Sequence, residues 1–376
     1  MKNLVEYISE SHDYTHNLSK SEQDWVNYNK GKGKSKVQPK SKKELIKIIN
    51  GSFEKGVYDL NFIDTSKIKD MSELFYLGVN LRKFDKSIQK SINISDWDVS
   101  NVKDMNHMFH KCEYFNCDLS NWDVSKVKNM NEMFSDCDDF DCDLSNWDVS
   151  NVTNMRHTFY KCNMFTGKGL ENWDVSKVED MSYMFVNCKK FNCDLSDWDV
   201  SNVKDMKHMF HKCTYFNCDL SNWDVSKVKN MNEMFFDCDD FDCDLSNWDV
   251  SNVTTMNNMF DGCNNFKGKG LENWNVSKVK NAHQMFNGCN KFDCDLSSWN
   301  VSNMTNTSGM FAYCWNWTGK GIENWNVSNV KDMSYMFVNC KKFNCDLSDW
   351  DVSNITCWKN MFSGCDKMII PAWYNG

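Results

Sequence analysis

The sequence contains few of the features that mark membrane proteins, nucleic-acid-binding proteins or enzymes. It has only two prolines, Pro39 and Pro371, and no apolar run of 18 residues, so no membrane span is expected. Its net charge of −9 argues against an array that binds nucleic acid. It also lacks a glycine-rich phosphate loop after a strand and a nucleophile elbow. We therefore expect neither a membrane span nor a nucleic-acid partner.

What the sequence has in quantity is one repeat. The decapeptide DLSNWDVSNV occupies 143–152 and again 244–253, and a tryptophan recurs every 25 or 26 residues. A fixed period of this length is typical of a solenoid, in which each repeat, here called a rung, packs mainly on its neighbours. The expected structural anchors are Trp97, Trp122, Trp147, Trp173, Trp198, Trp223, Trp248, Trp274, Trp299, Trp325 and Trp350.

The pattern within a rung predicts a short strand followed by a short helix. Apolar and polar residues alternate over 115–120, which is the period of a strand with one buried face. Met130, Met133, Phe134 and Cys137 then have the spacing of a helical stripe. Seven residues after the tryptophan, ten of the eleven rungs carry Asp, Asn or Thr, which we interpret as helix N-caps. The fold class is thus a leucine-rich-repeat-like solenoid of about 11–12 rungs.

The segments on either side of the repeats do not follow the repeat pattern. Ser41 and Glu44 have the spacing of a capping box, which predicts a helical N-terminal cap. The sequence divides into an N-terminal segment whose order is left open (1–29), a Lys-rich linker (30–39), an N-terminal cap (40–62), the solenoid (63–366) and a C-terminal cap or tail (367–376).

The repeat motif WDVSNVKDM, followed by MF and then by DLS and the next Trp, resembles the BspA-type leucine-rich-repeat surface-protein family. The resemblance covers about residues 40–365. It implies a leucine-rich-repeat-like solenoid with a binding surface, as in proteins of bacterial surfaces, large DNA viruses and phages. It implies adhesion or protein binding and supplies no catalytic residues.

The 19 cysteines leave three interpretations open. They could be small buried residues of a reduced core, stacked disulfides, or metal ligands, and we favour the reduced core because the total is odd and the C-x4-C spacing is not that of a zinc knuckle. One ladder is Cys112, Cys137, Cys162, Cys188, Cys213, Cys238, Cys263, Cys289, Cys314, Cys340 and Cys365. The second is Cys117, Cys142, Cys193, Cys218, Cys243, Cys294 and Cys345, with Cys357 apart.

Two further sets of polar residues invite a functional interpretation. Aspartates flank most of the tryptophans, as Asp118 and Asp123 do, and could bind Ca²⁺ or a basic partner. We favour hydrogen bonds to backbone N–H groups between rungs, because Asn275, Asn300 and Asn326 take equivalent places and share the acceptor oxygen but not the charge. The pairs His107/His110 and His208/His211 are copies related by a 101-residue internal duplication, and we expect them on a solvated face. An enzyme needs a unique constellation, whereas these groups recur. No catalytic, cofactor-binding or metal-binding residue is therefore predicted.

The positions that vary between rungs predict where a partner binds. They carry aromatic residues, which are enriched at interface hot spots. The candidates are Tyr114, Tyr160, Tyr183, Tyr215, Phe236, Tyr313, Trp315 and Tyr335. The leading hypothesis is a non-enzymatic protein-binding scaffold, adhesin-like or a virion or host-interaction protein. A structural or self-assembling rod is the alternative, and a thiol- or metal-binding protein is the third. With no signal peptide or lipid-carrying cysteine evident, an intracellular or virus-particle location is favoured over a secreted surface.

Overall fold

The rungs stack in parallel along one axis. In this computed structural model, which describes residues 36–375, single parallel β-bridges link neighbouring rungs in an unbroken series from Asp70 to Cys357. From Asp104 onwards, each bridge joins the residue seven positions after one rung's tryptophan to its equivalent in the next rung, as Asp104 joins Asn129. Asp70, which bridges to Asp104, follows Ile63 in place of a tryptophan. The segment 1–29, most of the linker and residue 376 lie outside the described residues.

Two α-helices precede the regular rungs. Helix α1 spans Lys42–Phe53, and the Ser41 hydroxyl accepts a hydrogen bond from the Glu44 backbone N–H at 3.2 Å. The Glu44 carboxylate accepts from the N–H of Lys40 at 2.7 Å. Helix α2 spans Lys86–Ser91. Short non-α turns complete the helical content: a π-turn at Leu74–Gly78 and 3-10 turns at Leu81–Lys83, Leu170–Asn172 and Leu271–Asn273.

The predicted short helix of each rung is wrong. His107 and Lys111 have left-handed φ values of 53° and 60°, and every later rung has a positive φ at the two equivalent positions, ten and fourteen residues after its tryptophan. These residues interrupt an α-helix, so the backbone N–H groups alternate in direction. The N–H of Phe109 donates to Met133 of the next rung at 2.9 Å, whereas that of Met108 donates to Met105 of its own rung at 3.1 Å.

The predicted strand is also wrong, because side chains take the place of a neighbouring backbone. The N–H of Leu119 donates to Sγ of Cys142 in the next rung at 3.2 Å. The N–H of Asp141 donates to Oδ1 of Asn116 at 3.0 Å. Residues 36–375 accordingly contain isolated bridges and no extended strand. The residues that lie seven positions after a tryptophan are not helix N-caps either. Oδ1 of Asp104, for example, accepts from the N–H of Asn106, two residues further along the chain.

The core is an aromatic stack that runs through all the rungs. All eleven anchor tryptophans are buried, and neighbouring indoles such as Trp198 and Trp223 lie parallel with ring centroids 6.4 Å apart. The Nε1–H of Trp223 donates to the carbonyl of Leu195 in the preceding rung at 2.9 Å. Each buried indole removes roughly 150–250 Å² from water and satisfies its one donor. The tryptophan therefore recurs because every rung must both pack on its neighbour and hydrogen-bond to it.

Some rungs replace the second-ladder cysteine by a glycine-containing loop. In one of them, the carbonyl of Lys168 accepts from the Leu144 N–H, which is the role that a cysteine sulfur has elsewhere. Gly169 has φ 95°, and a Cβ there would lie 2.2 Å from the backbone nitrogen of Ser145. Only glycine fits this close approach between rungs.

Candidate interaction face

One surface carries all the candidate partner-binding residues. We define the turn face as the side chains that lie ten, thirteen, fourteen, sixteen and seventeen residues after each rung's tryptophan. All eight predicted aromatic residues occupy one of these positions. The left-handed residues at positions ten and fourteen belong to this face, so hydrogen bonds to the next rung hold its backbone in place.

The structure separates the eight candidates into two groups. Tyr215, Trp315, Tyr313 and Tyr335 are exposed, at 58%, 49%, 45% and 38% of their surface. The other four, Tyr114, Tyr160, Tyr183 and Phe236, are half-buried. An aromatic side chain left in water can still gain free energy from a partner, so the first group has more to contribute to binding.

The half-buried group is already engaged within the chain. Tyr183 lies between His157 and His208, with ring centroids 4.5 and 4.6 Å away and nearly parallel planes. Phe236 stacks on His211 at 4.6 Å. These contacts span rungs and use the ring faces that a partner would need. Tyr114 and Tyr160 have lysine ammonium groups over their rings.

Three of the exposed aromatics belong to two consecutive rungs. Tyr313 and Trp315 lie in the rung of Trp299, and Tyr335 lies in the next; we call these three the aromatic patch. Trp317, which shares the sequence CWNWTGKG with Trp315, is fully buried and stacks on Phe311 at 4.0 Å. Tyr215 lies four rungs away and is not part of the patch.

The prediction that the histidine pairs lie on a solvated face is wrong. Burial lowers the pKa of His110, His157, His208 and His211 to about 4, so these imidazoles are neutral at pH 7. The ring nitrogens Nδ1 of His208 and His211 each lie 3.3 Å from Oε2 of Glu233, which belongs to the next rung. Among the residues that the structure describes, these three form a group whose ligand atoms converge within 4.8 Å. The aromatic residues of the turn face did not indicate that Glu233 belongs to this group. The sequence did contain one indication, because Glu132 stands one rung after His107 and His110 as Glu233 stands one rung after His208 and His211.

The aspartates beside the tryptophans have a local structural role. Oδ1 of Asp118 accepts from the N–H of Ser120, and Oδ1 of Asp123 accepts from that of Ser125. The predicted hydrogen bonds to backbone N–H groups are present, but they close a turn within one rung and do not join two rungs. Such bonds favour the charged form, and the pKa of both carboxyl groups is lowered.

All nineteen cysteines are free thiols, sixteen of them buried, which agrees with the reduced-core interpretation. In the first ladder the thiol of Cys137 donates to the carbonyl of Phe109 in the preceding rung at 3.0 Å. In the second ladder the sulfur accepts from a leucine N–H, as Cys142 does. Burial raises the pKa of Cys142 to about 11, so the reactive thiolate form is disfavoured. Cys357 is exposed.

These observations define a tandem-repeat solenoid whose rungs are joined by ladders of cysteine and tryptophan. The chain belongs to the family described as "Mycoplasma protein of unknown function, DUF285", whose model matches residues 47–168, 154–270 and 255–373. The matched family bears a different name from the BspA-type proteins, so that finer resemblance stays a prediction.

Two further comparisons add little to this assignment. No curated protein matches the chain. A solved structure, the functional domain of InlJ from Listeria monocytogenes, which includes a cysteine ladder, is similar at 12% sequence identity over 80% of this chain and 68% of that one, with a TM-score of 0.17. Within residues 36–375, none of the helices has the length and apolar character needed to cross a bilayer.

Proposed function

We propose that the protein is a non-enzymatic binding scaffold that contacts a protein partner through the aromatic patch. The observation that supports this most directly is the exposure of Tyr313, Trp315 and Tyr335 in two consecutive rungs. Among the other candidates only Tyr215 is comparably exposed, and it stands alone in its rung. Exposed aromatic clusters are typical of interface hot spots. The BspA-type resemblance supports the finer proposal of an adhesin-like or host-interaction role.

The rigid backbone beneath the patch suits this role. Tyr313 donates its N–H to Val338 of the next rung at 2.8 Å, and Tyr335 donates to Lys359 at 2.9 Å. Both residues have φ 60°, so their side chains leave the backbone at fixed points. A side chain on a pre-organised backbone loses less conformational entropy when it binds.

Packing disfavours the alternative of a rod that assembles end to end. Helix α1 buries Leu45 and Ile49 against the first rung, and the rings of Trp373 and Tyr374 contact Phe362 in the last one. These contacts cover much of the apolar surface at which two rods would join, although Ile369 and Ile370 remain exposed at the C-terminal end. Thiol storage is disfavoured because most of the thiols are buried and already hydrogen-bonded.

A comparison of variants tests the proposal. The full chain is immobilised, proteins retained from an extract of its native source are identified, and each is purified for affinity measurements. We expect Tyr313→Ala/Trp315→Ala/Tyr335→Ala to weaken binding by about 30-fold or more, the effect of losing about 2 kcal/mol at a hot spot. Tyr215→Ala, which removes an equally exposed aromatic elsewhere, serves as the matched control. Unchanged affinity in the triple variant would rule out the patch.

A further inference from the structure

We propose that His208, His211 and Glu233 form a binding site for a divalent transition-metal ion such as Zn²⁺. Two imidazole nitrogens and one carboxylate oxygen from two adjacent rungs converge at this point of the turn face. Imidazole and carboxylate are common protein ligands of Zn²⁺, and three protein ligands with a fourth position left to water make a recognised type of site.

The distances between the ligand atoms suit a small ion. Nδ1 of His208 and Nδ1 of His211 are each 3.3 Å from Oε2 of Glu233. Ligands at about 2.0–2.1 Å from a tetrahedral Zn²⁺ lie about 3.3–3.4 Å from one another. Both nitrogen–oxygen distances therefore match a tetrahedral site, and all three ligand atoms lie within 4.8 Å of one another.

The site also contains an unsatisfied polar atom. Nδ1 of His211 is buried and makes no hydrogen bond, even though a carboxylate oxygen lies 3.3 Å away. Leaving a buried polar atom without a partner costs about 1–3 kcal/mol. A metal ion would satisfy this nitrogen and the Glu233 oxygen together.

Neighbouring residues hold the ligands in position. The ring of His208 stacks on Tyr183 at 4.6 Å, and that of His211 stacks on Phe236 at the same distance. The backbone N–H of Glu233 donates to Asn257 in the following rung at 2.9 Å. Ligands fixed by packing and by hydrogen bonds bind a metal without a large ordering cost. Burial also keeps both imidazoles in the neutral form that coordinates metal.

Two lysines oppose the binding of a cation here. Lys207 and Lys212 flank the histidines, and their ammonium groups lie 5.4 and 5.7 Å from the ring centres of Tyr183 and Phe236. Lys212 is partly offset by Asp237, whose carboxylate is 3.8 Å from it. We therefore expect the site to prefer an ion that forms direct bonds to imidazole and carboxylate ligands over a cation that is held by charge alone.

The 101-residue duplication provides a second, less complete copy. Oε2 of Glu132 lies 3.0 Å from Nε2 of His107 and 3.4 Å from Nδ1 of His110. One imidazole thus presents a different nitrogen, and Nδ1 of His107 is held by Asn106 at 2.6 Å. Among the described residues, only the second copy brings one ligand atom from each of its three side chains within 4.8 Å of one another. We expect it to bind the same ion more weakly.

Titration with Zn²⁺ alone tests the proposal. The full chain carries Cys357→Ser in every sample so that the exposed thiol does not contribute. We expect one tight site by isothermal titration calorimetry and a rise in melting temperature with Zn²⁺. His208→Gln/His211→Gln should weaken the tight site by at least about tenfold, since even indirect supports of a metal ligand are worth that much. His157→Gln is the matched control, because His157 stacks on the other face of Tyr183 but belongs to no such group.

Further measurements make the outcome decisive. If the double histidine variant does not fold, Glu233→Gln takes its place. This substitution keeps the shape of the side chain, and we expect the same loss of Zn²⁺ affinity. With Co²⁺ in place of Zn²⁺, the spectrum should lack thiolate charge-transfer bands. The proposal is overturned by absence of binding, by equal affinity in the double variant, or by thiolate bands, which would assign the metal to the cysteines.

Discussion

The indole Nε1–H of Trp373 donates a hydrogen bond to the carbonyl oxygen of Leu347 at 2.9 Å. This is the same bond that Trp350 makes to Ile322 and that each earlier anchor tryptophan makes one rung back. Trp373 therefore stands in the anchor position without a full rung around it. The C-terminal segment covers the last rung by repeating the one contact that every rung uses to join its neighbour.

Removing this contact should loosen the last rung first. We expect Trp373→Ala to cost about 2 kcal/mol, less than a fully buried tryptophan, because Trp373 is only half-buried. Hydrogen exchange should accelerate in residues 350–375 and remain unchanged near Trp223, since a solenoid transmits stability mainly between neighbours. Uniform acceleration along the whole chain would show that Trp373 does not act as a local cover.

A tryptophan inside the array should matter more. Trp223 is buried, stacks on two indoles and donates to Leu195. We expect Trp223→Ala to destabilise the protein by about 3–5 kcal/mol and Trp223→Phe by about 2, because phenylalanine retains much of the packing and loses the hydrogen bond. Urea unfolding followed by circular dichroism measures both changes. Equal costs for the two variants would contradict a large contribution from packing, and no cost for Trp223→Phe would contradict one from the hydrogen bond.

Two glycines should respond in opposite directions to the same substitution. Gly169→Ala places a Cβ 2.2 Å from the backbone of Ser145 at a positive φ, and we expect a loss of at least about 1–3 kcal/mol. Gly51→Ala lies within helix α1 with open space around the added carbon, and we expect a gain of about 0.5–1 kcal/mol. The urea midpoints of the two variants should therefore fall on either side of the wild-type value. A gain at Gly169 would mean that the two rungs do not approach so closely.

The neutral histidines predict a loss of stability in mild acid. The unfolded chain binds protons at His110, His157, His208 and His211 as the pH falls below about 6.5, whereas the folded chain does so only near pKa 4. The free energy of unfolding should thus decrease steadily from pH 6.5 towards pH 4. Urea midpoints at pH 7 and pH 5, measured with a chelator present, check this. His157→Gln should reduce the difference between the two midpoints, and a variant with the full difference would remove His157 from the cause.

The native thiols should react unequally. Cys357 is the one exposed cysteine, and the pKa of Cys142 and Cys193 is raised to about 11 and about 12 by burial. We expect Cys357 to be alkylated rapidly in the native protein, the half-buried Cys345 and Cys365 more slowly, and the sixteen buried thiols only after denaturation. Intact mass spectrometry after timed alkylation counts them, and Cys357→Ser should abolish the rapid step. Rapid modification of many thiols would contradict the buried ladders.

The sequence predicts the solenoid, its period and its inward residues, because each depends on repeated apolar positions. It does not reveal the path of the backbone. The spacing of Met130, Met133, Phe134 and Cys137 fits a helix and also fits a chain whose N–H groups alternate between two rungs. One signal was available: Gly262, Gly288 and Gly364 occupy the fourteenth position after tryptophan, which suggests a left-handed backbone there.

The candidate site was predictable only in part, because exposure depends on neighbouring rungs. Nothing next to Tyr183 in sequence shows that His157 and His208, 26 and 25 residues away, cover both faces of its ring. For the same reason the sequence does not predict that His208 and Glu233 lie side by side. In a solenoid, the closest neighbours of a surface residue lie one full repeat away along the chain.

The most direct test of the proposed function is photo-crosslinking from the aromatic patch. A benzophenone amino acid replaces Trp315 in the full chain, and in a control chain it replaces Tyr215, whose side chain is similarly exposed. Each protein is irradiated in an extract of the native source. We predict a discrete crosslinked protein species from position 315 and none of that mass from position 215. The same species from both positions, or none from position 315, would contradict a binding face centred on Trp315.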